Sequence, residues 1–95
     1  MSPSAQLQIV DKENIQFLKF PKEDVLTRIE DRKNRRIELQ RAMSLGNLLR
    51  SKVRIIFQDD VGPKKVETTI WGITDEAVIL KQSTIIPMER ILCVA

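Results

Sequence analysis

The chain predicts an α+β fold in which an N-terminal arm and a helix pack on a C-terminal five-stranded antiparallel β-barrel. Three observations carry this expectation. Ninety-five residues suffice for one domain and not for two. The hydrophobic fraction of 42% and charged fraction of 31% are those of a chain with a buried core. The apolar pattern changes near Arg50, from scattered residues at helical spacing to dense β-branched runs. That change divides the chain into an extended arm over 1–21, a helical segment over 22–50 and a small β-barrel over 51–95.

In the arm, residues 6–10 and 15–20 read as two short extended pieces separated by the polar Asp11, Lys12, Glu13 and Asn14. Neither is long enough to be stable alone, so the arm must lie on the rest of the chain, lie on a partner, or remain loose. Pro21 suits the first turn of a helix, where its missing N–H is not needed, and Glu23 and Asp24 complement the helix N-terminus. The helix is expected over 21–45, with Gly46 and Asn47 as its stop. Val25, Leu26, Ile29, Ile37, Gln40 and Met43 share one broad arc of it. Residues 30–36 add nothing apolar, so a bend or a solvent-crossing stretch is expected near Lys33 and Asn34.

Leu48 and Leu49 should then plug one end of the barrel. Its strands are expected over 52–58, 66–74, 77–82, 84–87 and 91–94. Asp59 to Pro63 makes the first turn, Thr74-Asp75-Glu76 the second, and Pro87-Met88-Glu89-Arg90 a 3₁₀-like turn before the last strand. Strands this short lose their exposed edges only by curling closed. A core that small is marginal alone, so Leu48, Leu49 and the face of Ile37 and Met43 should complete it.

Composition removes most catalytic chemistry. The chain has no histidine, which takes away the usual general base and the commonest metal ligand. One cysteine excludes both an intramolecular disulfide and a thiolate zinc site, and neither a metal nor a cofactor is expected. Phe17, Phe20, Phe57 and Trp71 are the only aromatics, too few for a stacking platform or a methyl-lysine cage. Gly46, Gly62 and Gly72 stand alone and form no phosphate-binding loop. No secretory leader or membrane span is apparent, so a cytoplasmic setting without membrane attachment is expected. The net charge of +3 arises in the first half, where ten Lys or Arg face seven Asp or Glu, against six and six in residues 51–95.

From Ala42 onward the order of elements carries a resemblance. The Lys52-Val53-Arg54-Ile55 strand, the glycine turn, the long strand ending in Ile73-Thr74-Asp75, then Val78-Ile79-Leu80-Lys81 and the closing Ile91-Leu92-Cys93-Val94 resemble the Sm-like barrel of Hfq and its relatives. Val66 to Trp71 together with Ile86 to Ile91 is similar to a group of short bacterial proteins without assigned function. The resemblance implies an Sm-like or SH3-like barrel and edge-to-edge pairing between copies. It does not bring RNA-contacting residues with it: Asp75 is followed by Glu76 and Ala77 where the Sm family has an asparagine, and Pro87-Met88-Glu89-Arg90 replaces the Tyr-Lys-His turn of Hfq.

Two candidate sites follow. Arg28, Arg32, Arg35 and Arg36 fall within about 100° on an ideal helix, with Lys33 and Arg41 nearby, and could clamp phosphates of RNA or DNA. Asp24 and Asp31, each four residues before an arginine, favour instead a solvated face of helix salt pairs, which accounts for most of the pattern. The second site is a strand edge formed by Ile85, Ile86, Pro87 and Arg90, with the last strand beside it. Trp71 is expected in the core or between layers, and Cys93 as a small buried hydrophobe. The function expected is a non-catalytic interaction module that docks to a protein partner or to itself, with nucleic-acid binding through the arginine edge as the alternative. A third reading, a hydrolase built on unpaired acids, lacks a base beside a nucleophile.

Overall fold

The computed structural model describes residues 7–95, so Gln6 of the first expected arm piece lies outside the described residues. The fold is α+β, with one α-helix and two antiparallel-rich sheets. Strands β1 (Gln8–Ile9), β2 (Val53–Gln58), β3 (Pro63–Thr68) and β7 (Ile91–Val94) form one sheet in the order β1-β3-β2-β7. Strands β4 (Ile70–Ile73), β5 (Ala77–Leu80) and β6 (Ile85–Pro87) form the other, in sequence order. Helix α1 (Ile29–Leu49) lies against β7 on one side and β4 on the other.

Alternation along the strands explains the sheets. In β2, Ile55 and Phe57 are buried while Arg54 points outward and meets Glu67, its directly opposite partner on β3, at 2.9 Å. Val66, Ile70, Val78, Leu80, Ile86 and Ile91 bring the buried faces of both sheets into one core. Leu39 enters it from α1 and Ile15 from the arm. The single strand expected over 66–74 is two strands broken at Thr69, whose carbonyl accepts the Lys81 N–H at 3.0 Å. That break passes the chain from one sheet to the other. The pairing of β4 with β5 shifts register between Ile70 and Gly72.

The arm differs from expectation in its second half. Lys12–Phe17 is a 3₁₀ helix, not an extended piece, because the Asn14 N–H returns to the Asp11 carbonyl and the Leu18 N–H to Ile15, seating Ile15 in the core. Only Gln8 and Ile9 form a strand, parallel to β3.

The helix begins and ends later than the local signals indicate. Asp24 takes the Leu26 N–H on its side chain at 2.8 Å, and the Val25 N–H bonds the Glu89 carbonyl, so 21–28 is held as an irregular strap. At the other end α1 runs through Gly46 and stops at Arg50, which adopts the left-handed conformation at φ 54°. Gly46 serves close approach instead: a Cβ there would lie 3.1 Å from the Ser51 carbonyl oxygen and 3.2 Å from Val53 Cγ1. The helix is continuous past Lys33 and Asn34, since Arg35 supplies the buried anchor that the apolar pattern lacks there.

Extending the helix turns its last leucines outward. Leu48 is 78% exposed and Leu49 68%, so neither plugs the core, and Ile37 is also exposed; Leu39 and Met43 make that contact. Trp71 is 56% exposed and not a core residue, because Ile70 takes the inward position of β4. Cys93 is likewise exposed, between the partly covered Leu92 and Val94.

Candidate functional site

The expected arginine edge is largely engaged with carboxylates and carbonyls. Arg35, with a side chain only 4% exposed, donates Nη1 and Nη2 to the two Asp24 carboxylate oxygens at 2.9 Å and Nη1 to the Ile91 carbonyl at 3.0 Å. Arg32 reaches Asp24 at 3.3 Å and the Leu26 carbonyl at 2.7 Å. Arg36 holds Asp75 at 2.9 Å, pinning the β4–β5 turn to the helix. Arg28 pairs with Glu30 on the exposed surface, while Lys33 faces solvent. The salt pairs expected from spacing, Asp24 with Arg28 and Asp31 with Arg35, are thus replaced by Glu30 with Arg28 and Asp24 with Arg35. The reason is that Asp24 lies in the strap, outside the helix.

The expected strand edge is split as well. Ile86 is fully buried, and Arg90 is buried with its guanidinium donating to the carbonyls of Gln58, Glu23 and Asp59 at 2.8 to 3.2 Å. Arg90 therefore ties the strap and the β2–β3 turn to the last strand. Ile85 is exposed and Pro87 half-buried, and the 3₁₀ turn of the arm packs beside β6.

A cleft of about 430 Å³ lies beside Ile85, lined by Glu13, Gln16, Gln82, Ser83 and Thr84, and a more apolar groove lies at β7, an outer strand of the other sheet. A groove runs between α1 and β7, with one cleft of about 280 Å³ lined by Ala42, Leu45, Leu49, Val53, Val94 and Ala95 among others. A second, of about 240 Å³, continues it past Arg35, Glu38, Leu92 and Cys93. Glu38 and Val94 border both. On the helix, Ile37, Leu45, Leu48 and Leu49 are all exposed, so the apolar surface extends from the groove over its outer rim.

The floor of this groove is an incomplete strand edge. Arg54 and Ala95 exchange both backbone hydrogen bonds, at 2.8 and 3.4 Å, so the ladder alternation turns the N–H and C=O of Val94, opposite Ile55, away from β2. At the start of β7 the Ile91 carbonyl is taken by Arg35. Arg35 Nε, by contrast, is buried with no hydrogen-bond partner among the described residues.

Sequence reasoning missed this groove because it ended the helix at Leu45. The signal was present: Leu45 and Leu48 lie within about 80° of Ile37 on a continued helix, a second apolar stripe opposite the one that packs. Although Cys93 is exposed as a residue, the atoms around it partly desolvate its thiol and push it up from its ordinary range, away from the reactive thiolate. Among the described residues no helix is long and apolar enough to cross a membrane. No family model, curated protein or solved structure matches the chain.

Proposed function

We propose that this chain is a non-catalytic interaction module that docks a protein partner in the groove between α1 and β7. The observation that carries the reading is the coincidence of exposed apolar side chains, Leu45, Leu48 and Leu49, with an outer strand whose Val94 backbone groups point into the same space. Exposed leucines on a small domain cost solubility unless something covers them. The strand order, with β3 passing into β4 at Thr69 and a 3₁₀ turn before β7, supports reading the two sheets as halves of a small barrel of Sm-like or SH3-like type. Fold alone does not carry the function, since such barrels serve many. Nucleic-acid binding keeps fewer free groups: of Arg28, Arg32, Lys33, Arg35 and Arg36, four are in ion pairs.

Photo-crosslinking in the native cell separates the readings. A photoreactive amino acid placed at Leu49 should yield protein adducts, while the same group at Lys33 or at the exposed Val61 should not. Nucleic-acid adducts from position 33, with none from position 49, would overturn the docking reading in favour of phosphate binding.

A further inference from the structure

We infer that the outer face of the β4–β5–β6 sheet joins two copies of this chain, stacked face to face with their strands antiparallel. The inference does not rest on the groove between α1 and β7. None of the residues of β4, β5 and β6 is polar: they read Ile70-Trp71-Gly72-Ile73, Ala77-Val78-Ile79-Leu80 and Ile85-Ile86-Pro87. An antiparallel sheet with one face in water normally alternates apolar with polar residues. The other sheet does so, with Arg54, Lys65 and Glu67 outward. Here Ile70, Val78, Leu80 and Ile86 fill the core, and what faces away from it is apolar as well. Ile79 lies opposite both Gly72 and Ile85, and the register shift beside Gly72 puts Trp71 on that same side. Trp71, Ile79 and Ile85 therefore form one row across the three strands, with Ala77 and Pro87 as a second. Trp71 and Ile85 keep 56% and 54% of their surface in solvent.

Charge at the two ends of β5 selects a second copy as the occupant. The strand follows the exposed Asp75-Glu76 turn and runs into the exposed Lys81. Asp75 is held by Arg36, and Glu13, across the cleft beside Gln82, is held by Lys12. Glu76 and Lys81 are in no ion pair among the described residues. A two-fold axis lying between the stacked sheets, across β5 between Val78 and Ile79, reverses the strands. Lys81 of each copy then reaches Glu76 of the other, and the two Ile79 rows lie side by side. Each Ala77 falls between the other copy's Ile79 and Lys81, small side chain beside large. Gly72 leaves a hollow next to Trp71, since a Cβ there would meet only Ile79 Cδ1, at 3.8 Å. Copies stacked with strands parallel would set Lys81 on Lys81 and Glu76 on Glu76. A nucleic acid would find one cation on this face and acids at its far end. Three strands of three or four residues span about 14 Å by about 14 Å. That is less than the roughly 800 Å² per partner of a standard interface, so the pair is weak and reversible.

Trp71 is the only tryptophan, so its fluorescence reports on this face directly. The test measures sedimentation equilibrium and tryptophan emission of the full chain from about 1 μM to about 1 mM. The mass should rise from one chain of 11.0 kDa to two, and the emission should shift to the blue with the same midpoint. Trp71→Lys and Ile85→Lys, both at exposed positions and checked for an unchanged thermal transition, should hold the mass at one chain. Lys81→Glu should weaken pairing about tenfold, and adding Glu76→Lys to it should restore pairing, because each copy supplies both ends. A chain that stays single throughout the range overturns the proposal, and so does a dimer whose emission ignores concentration. A dimer that Leu49→Glu splits and Trp71→Lys leaves whole would move the contact to the groove and overturn it equally. If the double exchange fails to restore what Lys81→Glu loses, the antiparallel stacking is wrong.

Discussion

Asp24 and Asp59 hold together the polar part of the interior, and each is a point where one substitution has a large effect. Burial alone would raise the Asp24 carboxyl, but the Arg35 hydrogen bonds, the Leu26 N–H and the charges of Arg35 and Arg32 outweigh it and hold it below the usual aspartate range. Asp59 is held down in the same way: the Lys64 ammonium at 2.8 Å and the N–H groups of Gly62 and Val61 outweigh the opposing effect of burial. Both groups therefore bind a proton less readily folded than unfolded. Their stabilisation is fully present above about pH 4 and is lost as pH falls through their folded pKa values. Chemical denaturation from pH 7 down to pH 2 should show stability falling below about pH 4, and Asp59→Asn should flatten that fall. Asp24→Asn leaves the Arg35 cation buried without its counter-charge, and should cost about 3–5 kcal/mol at pH 7 by the same measurement. Gln82 and Ser83, at φ 65° and 62°, occupy a left-handed pair in the β5–β6 turn that favours Asn-Gly. Replacing them with Asn and Gly should raise stability by about 1 kcal/mol.

At the scale of elements, α1 has two apolar faces with different work. Leu39→Ala should cost about 2–5 kcal/mol in urea unfolding, because Leu39 is fully buried between the sheets. Leu48→Ala should cost less than about 0.5 kcal/mol, since it faces solvent. A large loss for Leu48 would return it to the role of a core plug. The strands were largely legible because alternation of Ile55, Phe57, Val66 and Val78 with polar neighbours is a local signal. The 3₁₀ turn before β7 was legible too, from Pro87 and the polar pair Glu89 and Arg90 that follows Met88. The helix limits were not, because tertiary contacts set them: the Glu89 carbonyl holds Val25 in the strap, and Gly46 is needed where Ser51 and Val53 press on the helix. Arg35 and Arg90 read as surface charges, since nothing in their neighbours announces that distant carbonyls and Asp24 converge on them. The groove followed the helix end and was missed with it.

At the scale of the whole molecule, the groove between α1 and β7 is a long surface left open among the described residues. The arm covers the β3 edge through β1 and packs beside β6, while the strap is tied down by Asp24 and Arg90. Among the described residues, the helix lies beside the outer face of β7, with partly apolar clefts between them. Nuclear magnetic resonance of the ¹⁵N-labelled full chain, in an extract of its own cells at rising salt, tests the docking claim most directly. Backbone signals of Leu45, Leu49, Leu92 and Val94 should broaden selectively and stay broadened as salt rises, since an apolar contact is weakly screened. Broadening centred on Arg28 and Lys33 that vanishes with salt or nuclease, with the groove signals unchanged, would contradict it.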